Sequence, residues 1–195
     1  VLTLKYDDSA NVIKGLLIIE LLVQFIEGMF YVWMVMNFAN ISNITPARYY
    51  DWVITTPSML YTYTMYLEYI NQRNNHSLYS MTMKNIVPLT SIFILNTLML
   101  GFGYASEMNV LSYTTGAFLG FIPFFAMFYI VYEEFAKYSS IGKITFWYFS
   151  VAWAIYGIAS LFSYKWKNVF YNILDLFSKN FFGLFLAYVL YKMKK

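Results

Sequence analysis

Long apolar stretches alternate with short polar segments along the chain. Six stretches are long enough to cross a hydrocarbon core of about 30 Å, which takes roughly 20 helical residues. They cover residues 12–39, 47–70, 85–105, 110–132, 144–163 and 168–191. A β-barrel is disfavoured, because its strands would alternate between apolar and polar positions over about ten residues. No linker or low-complexity tract interrupts the pattern, which predicts an all-α membrane protein with a single domain over residues 1–195.

Composition supports this interpretation and excludes several other classes of protein. Hydrophobic residues make up 60% of the 195 residues and charged residues only 12%, against roughly 45–50% and 25% in soluble domains. The chain has no Cys and a single His, so disulfides, thiolate sites and a zinc site are excluded and no metal is predicted. A net charge of +3 is too small to indicate a nucleic-acid partner. No phosphate-binding glycine loop or nucleophile elbow is present, so the chain is not predicted to be an enzyme.

The few basic residues indicate the orientation of the bundle. Two of them, Lys165 and Lys167, lie at one end of the predicted spans. The nine at the other end are Lys5, Lys14, Arg73, Lys84, Lys137, Lys143, Lys192, Lys194 and Lys195. Basic residues concentrate on the cytoplasmic side of membrane proteins. The nine-residue side, which includes the C-terminus, is therefore predicted to be cytoplasmic.

Ionisable residues inside the spans are candidates for function, because each costs about 2.5–3.5 kcal/mol on insertion scales. Asp175 and Lys179 are spaced i, i+4 on one helical face. One interpretation is a structural salt bridge that lets both charges persist in the membrane. The other is that a desolvated Lys179 forms a Schiff base with an aldehyde, with Asp175 and Asp51 available as counter-ions. The charges alone leave both open.

The first predicted span carries a polar stripe. Glu20, Gln24, Glu27 and Tyr31 recur at i, i+4, i+7 and i+11, on one face of a helix. Such a stripe can form interhelical hydrogen bonds that hold a bundle together. It can also line a hydrated path, because acidic side chains facing water attract cations.

Five segments, in chain order, resemble the signatures of microbial rhodopsins. ARYYDWVITTP at 47–57 resembles the third-helix pattern ARYxDWxxTTP, and DLFSK at 175–179 resembles the seventh-helix pattern that ends in the retinal-binding lysine. NTLMLGFG at 96–103, AMFYIVY at 126–132 and WAIY at 153–156 are similar to segments of the fourth, fifth and sixth helices.

The resemblance implies a heptahelical retinal-binding bundle, of which the second to seventh helices are visible in the chain. A first helix is therefore expected upstream. All-trans retinal would be bound covalently as the Schiff base of Lys179. Asp51 would be the principal counter-ion and proton acceptor and Asp175 the second counter-ion, supported by Arg48 and by Thr55, whose hydroxyl is expected to bond the Asp51 carboxylate. The implied retinal pocket consists of Trp52, Thr56, Met99, Gly103, Pro123, Met127, Trp153 and Tyr156.

Departures from the family pattern argue against a fast proton pump. Thr62 stands eleven residues after Asp51, where pumps of the bacteriorhodopsin type carry the carboxylate that reprotonates the Schiff base. The predicted loop after Ser163 holds Lys165 and Lys167 but none of the acids that release protons in such pumps. Three further positions depart from the pattern: Asn96 replaces an aspartate, Gly157 a proline and Ser160 a tryptophan.

Other residues are similar to those of channelrhodopsins. Glu20 and Glu27 match the spacing of their second-helix glutamates, and Asn180 matches the asparagine of their central gate. With Gln24, these residues form the predicted ion pathway, and the viral rhodopsins of giant algal viruses look most similar. The resemblance therefore predicts a light-gated cation channel, with an outward proton pump and a sensory rhodopsin without transport as alternatives. Expected partners are the lipid bilayer, monovalent cations or protons, and further copies in a homo-oligomer, in the host plasma membrane if the protein is viral.

Overall fold

The computed structural model describes residues 10–37, 40–71 and 77–193, and within these it is entirely helical. The α-helices are Ala10–Asn37 (α1), Thr45–Asn71 (α2), Leu78–Lys84 (α3), Ile86–Glu107 (α4), Tyr113–Val131 (α5), Ser140–Ala159 (α6), Tyr164–Asp175 (α7) and Phe181–Lys192 (α8). A π-helical turn, Tyr132–Ala136, continues α5, and a second, Leu176–Asn180, joins α7 to α8. The described residues thus confirm the predicted all-α class.

Among the described residues, four continuous helical segments are long and apolar enough to cross a membrane, two of which include a π-helical turn. They are Ala10–Asn37, Ile86–Glu107, Tyr113–Ala136 and Tyr164–Lys192. The other long helices, α2 and α6, have 27 and 20 residues and contain more Thr, Tyr and Trp. Large apolar side chains point outward, such as Met36 at 76% exposure, as expected for a surface that faces lipid tails instead of water.

Several predicted boundaries differ from the observed ones. The predicted third span begins at residue 85, whereas the chain is already helical from Leu78, with Asn85 between α3 and α4. The helix α7 begins at Tyr164. Lys165 and Lys167 therefore lie in its first turn, and the loop prediction for them is wrong. Residues 38 and 39 of the first predicted span, and Lys5, Arg73, Lys194 and Lys195, lie outside the described residues.

Serine side chains determine where several helices begin. Ser77, Ser112 and Ser139 have extended backbone angles and precede α3, α5 and α6. Each side chain accepts a hydrogen bond from the amide three residues later, at 2.9 to 3.2 Å. These bonds satisfy amides that the first helical turn leaves unpaired.

The long helices pack against one another in a bundle. The helix α1 packs on α2 and α8, α4 packs on α5 and α2, and α6 packs on α7. We call the half of the bundle in which α2 begins the Arg48 half. The half in which α2 ends, and in which α1 begins and α8 ends, is the Thr62 half. A continuous apolar core cluster includes residues of α1, α2, α4, α5, α6 and α8.

Candidate functional site

Lys179 lies in the π-helical turn Leu176–Asn180 and is 2% exposed. Its Nζ donates a hydrogen bond to Asp51 Oδ2 at 2.7 Å. Asp175 Oδ1 is 3.4 Å from Nζ and Glu27 Oε1 is 3.6 Å away. The structure thus brings Asp51 and Asp175 to Lys179, and it adds Glu27, which the sequence placed in a separate ion pathway.

Asp175 is held from three directions. Tyr31 Oη donates to its Oδ2 and Tyr156 Oη to its Oδ1, both at 2.7 Å. Arg48 Nη1 lies 3.5 Å from Oδ2. A buried carboxylate is stabilised when its lone pairs are filled in this way.

Asp51 is less fully bonded than Asp175. Its Oδ1 has no hydrogen-bond partner among the described residues. The Thr55 hydroxyl donates to the backbone carbonyl of Asp51 at 3.0 Å. The expected bond from Thr55 to the carboxylate is therefore not formed, because a helical threonine bonds readily to the carbonyl four residues earlier.

Arg48 is 1% exposed and lies in the first turn of α2, one helical turn before Asp51. Its Nε donates to Asn168 Oδ1 at 3.0 Å, and its Nη2 donates to Asn172 Oδ1. Around Lys179, three carboxylates thus meet two cations. The two cations offset most of the negative charge, so these ionisable groups can be buried together.

An apolar cavity extends from Lys179 between α2, α4, α5 and α6. Six predicted pocket residues line it: Trp52, Thr56, Met99, Gly103, Trp153 and Tyr156. Pro123 and Met127 are buried but are not among its lining residues. Lining residues outside the predicted pocket set include Tyr49, Met59, Phe121, Phe124 and Tyr171.

Two of the matched or substituted positions require a small residue. A Cβ at Gly103 would lie 2.5 Å from Tyr49 Oη, and one at Gly157 would lie 2.7 Å from the Phe121 ring. The aromatic rings therefore approach the backbone at both positions. Phe121 fills the space that a side chain at residue 157 would need.

Thr56 and Asn96 connect α2 to α4 beside the cavity. The Asn96 amide donates to Thr56 Oγ1 at 2.9 Å, and Thr56 donates to the Trp52 carbonyl at 2.7 Å. Asn96 Oδ1 has no hydrogen-bond partner among the described residues. Asn96 thus orients a residue of the predicted pocket through a single bond.

The polar stripe of α1 faces the interior. Glu20 and Glu27 are buried, and Gln24 and Tyr31 are half-buried. A cleft of about 340 Å³ is lined by Gln24, Glu27, Tyr31, Asn172, Asp175 and Asn180, together with Gly28 and Leu176. A cleft of this volume has room for several water molecules, since one needs about 10–15 Å³. The stripe and Asn180 therefore share one polar cleft.

Glu107 and Lys167 form a buried ion pair that sequence reasoning missed. Lys167 Nζ donates to Glu107 Oε1 at 2.7 Å and lies 4.0 Å from the centre of the Tyr113 ring. Glu107 and Lys167 are 3% and 2% exposed. The pair lies in the Arg48 half, where Glu107 and Tyr113 also line the apolar cavity.

The cavity has the chemistry that a retinal polyene requires. Aromatic and apolar side chains form its walls, and a buried amine with an adjacent carboxylate lies at one end. Asp51 Oδ1 and Trp153 Nε1 are buried polar atoms without hydrogen-bond partners in the described parts of the chain. The residues present therefore fit a long apolar aldehyde.

Comparisons with known proteins agree with this geometry. The family model described as bacteriorhodopsin-like protein matches residues 2–193. The crystal structure of viral rhodopsin OLPVRII is similar with a TM-score of 0.83 and 28% identity, over 94% of this chain and 85% of that one. A blue light-absorbing proteorhodopsin from Med12 shares the fold, with a TM-score of 0.73 and 21% identity over 93% and 83% of the two chains. No curated protein sequence matches the chain.

The match over nearly the whole length, the apolar helices and the lysine-centred cavity all indicate the same class of multi-pass membrane protein. The chain belongs to the bacteriorhodopsin-like family, whose members bind retinal.

Proposed function

We propose that the chain is a retinal-binding photoreceptor that acts as a light-gated cation channel. The observation that carries the proposal is the placement of Lys179 Nζ at the end of an apolar cavity, 2.7 Å from Asp51 Oδ2. Lys179 would hold all-trans retinal covalently. Trp52, Trp153 and Tyr156 would form walls of its pocket.

The residues around Lys179 have separate tasks in this proposal. Retinal supplies light-driven isomerisation when it is bound. Asp51 accepts a proton from Nζ, because its carboxylate is the nearest acceptor and has an unpartnered oxygen. Asp175 stays ionised beside Arg48 and balances the positive charge on Nζ.

The cleft beside α1 supports channel activity. Glu27 belongs both to the Lys179 cluster and to the cleft, so a change of charge at Nζ acts directly on a residue that lines the cleft. Gln24 and Asn180 supply further polar groups along the cleft. Cations would be attracted by Glu27 and by the carboxylates behind it.

A light-driven outward proton pump is the second candidate. The observation that favours it is the buried carboxyl group of Glu20, which lies against Thr62 in the half of the bundle that would face the cytoplasm. A sensory rhodopsin without transport is the third candidate, and it would use the same chromophore site.

The proposal includes a topology. Residues 1–195 would form one membrane domain with six spans, in which α3 continues into α4 and α7 continues through the π-helical turn into α8. The Thr62 half, which includes Lys84 and Lys143, would face the cytoplasm, as would the C-terminus. The plasma membrane of a host cell would be the location if the protein is viral.

Two measurements test the proposed function. Lys179→Ala should abolish the visible absorption band formed with added retinal, and Lys179→Arg should do so as well, since a guanidinium keeps the charge but forms no imine. Lys143→Ala, at an exposed position of α6, is the matched control and should keep the band. A band that persists in both Lys179 variants would contradict the chromophore assignment.

Photocurrents in voltage-clamped cells separate the three candidates. A channel gives currents that reverse sign near the cation equilibrium potential. Outward current at every voltage would show that the protein is a pump and not a channel. A visible photocycle with no current would leave the sensory function.

A further inference from the structure

Glu20 is a buried carboxyl group for which the described part of the chain supplies no cation. It is 0% exposed, and the Thr62 hydroxyl donates a hydrogen bond to its Oε1. Its Oε2 has no hydrogen-bond partner, and no ion pair to Glu20 occurs among the described residues. The arrangement differs from that of Asp175 and Glu107, whose carboxylates meet Arg48 and Lys167.

These surroundings favour a protonated Glu20. An ionised carboxylate in an apolar interior costs several kcal/mol unless a cation or several hydrogen-bond donors compensate it. Thr62 provides one donor, and its hydroxyl also bonds to the Met59 carbonyl at 3.0 Å. Glu20 is therefore suited to hold a proton that it can give up and take back.

A polar route leads from Glu20 to Lys179. Glu20 and Glu27 are seven residues apart in α1, which corresponds to about 10 Å along the helix axis. Gln24 lies between them, and its Nε2 has no hydrogen-bond partner among the described residues. Glu27 Oε1 is 3.6 Å from Lys179 Nζ.

Gly183 of α8 faces the middle of this route. A Cβ at Gly183 would lie 3.8 Å from Gln24 Nε2 and 4.0 Å from Glu20 Cβ. The glycine therefore leaves a gap of about one methyl group beside the two polar side chains. The gap lies beside Gln24, which also lines the cleft that contains Glu27.

We propose that Glu20 is the proton donor that restores the proton on Lys179 Nζ after light has driven it to Asp51. The O–H bond of Glu20 breaks and an N–H bond forms on Nζ, with water molecules that Gln24 positions carrying the proton between them. Glu20 becomes a carboxylate that Thr62 stabilises as a positioning residue. It then regains a proton from water on the Thr62 side. The inference rests on the proposed attachment of retinal to Lys179.

Flash photolysis at varied pH tests the transfer. In Glu20→Gln, recovery of the visible band should slow about 100-fold, the usual scale for losing one acid group. Recovery should also become proportional to the proton concentration, and a small diffusible acid such as azide should restore its rate. Glu134→Gln makes the same chemical change at an exposed site in the same half of the bundle and should recover like the parent protein.

Infrared spectra in the dark provide a readout that needs neither light nor retinal. The parent protein should show the C=O stretch of a buried protonated carboxyl group, which Glu20→Gln removes. Thr62→Val keeps the acid but removes the hydrogen bond, so it should shift this band and slow recovery several-fold.

The outcomes separate this inference from the proposed function. Unchanged recovery in Glu20→Gln, or a spectrum in which Glu20 is ionised, would overturn the donor role alone. Failure of the parent protein to form a visible band with retinal would overturn both.

Discussion

The two halves of the bundle bury their ionisable groups in different ways. In the Arg48 half, Arg48 lies beside Asp175, and Lys167 donates to Glu107 at 2.7 Å. In the Thr62 half, Glu68 pairs with Lys84, whose side chain is largely exposed, whereas the hydrogen bond of the fully buried Glu20 comes from the Thr62 hydroxyl and no ion pair to Glu20 occurs among the described residues. Lys179 and its three carboxylates lie between the two halves.

The difference separates structural charges from exchangeable protons. A paired buried ion is held in place, because moving either partner exposes an uncompensated charge. A neutral buried acid can lose or gain a proton with a smaller rearrangement. We therefore expect the Arg48 half to be the rigid closure of the chromophore cavity and the Thr62 half to be where protons and water move.

The largest expected effect comes from breaking the Glu107–Lys167 pair. Glu107→Gln should lower the free energy of unfolding by about 3–5 kcal/mol, because it leaves the Lys167 charge buried without its partner. Chemical denaturation in mixed micelles of lipid and detergent measures the loss. The double variant Glu107→Gln with Lys167→Met should recover most of it.

An exposed ion pair is the matched control for this prediction. Lys137 donates to Glu133 at 2.6 Å, and both side chains are about one-third exposed. Glu133→Gln should have a much smaller effect, since solvent screens such pairs. Equal losses at the two sites would contradict the distinction between buried and exposed charges, and with it the view of the Arg48 half as held by ions.

The Glu107–Lys167 pair also shows where sequence reasoning ended. Hydropathy predicted the long helices, because each crossing needs about twenty apolar residues. The sequence predicts a loop position for Lys167, since charged residues between apolar stretches usually face water. Its partner lies 60 residues away in the sequence, and no local pattern connects them. Burial of the pair follows from the packing of α4 against the start of α7, which only the folded chain reveals.

Two glycines allow the packing of the halves to be compared. A Cβ at Gly103, in the Arg48 half, would be 2.5 Å from Tyr49 Oη, whereas one at Gly183 would make ordinary contacts at 3.8 and 4.0 Å. Gly103→Ala should cost about 1–3 kcal/mol by overpacking and shift the visible band, because residue 103 lines the cavity. Gly183→Ala should leave stability unchanged or improve it by up to about 1 kcal/mol, since alanine favours a helix.

A second variant identifies the cause of the Gly103 effect. Tyr49→Phe removes the nearest clashing atom, so Gly103→Ala should be less costly in that background. If the cost is the same with and without the Tyr49 hydroxyl, the close approach to Tyr49 is not the reason for the glycine.

The sequence predicts some contacts of the candidate site better than others. Lys179, Asp51 and Asp175 occupy motif positions, and the structure brings an oxygen of each carboxylate within 3.4 Å of Lys179 Nζ. Glu27 carries the same helical periodicity as Glu20, yet only Glu27 contacts Lys179. A seven-residue spacing gives the height of each residue along α1 but not its distance from another helix. That distance depends on how α1 packs on α2 and α8.

The smallest expected effect is on Glu20 and is the sharpest test of the comparison. Glu20→Gln replaces a protonated acid by a neutral amide of the same shape, which can still accept the hydrogen bond from Thr62. The free energy of unfolding should change by less than about 1 kcal/mol, the usual scale of a hydrogen bond between membrane helices. A loss as large as that of Glu107→Gln in the same micelles would mean that Glu20 is ionised and paired. Buried ion pairs would then stabilise the interior of both halves. The proposed division, in which the Arg48 half is rigid and protons move in the Thr62 half, would be contradicted.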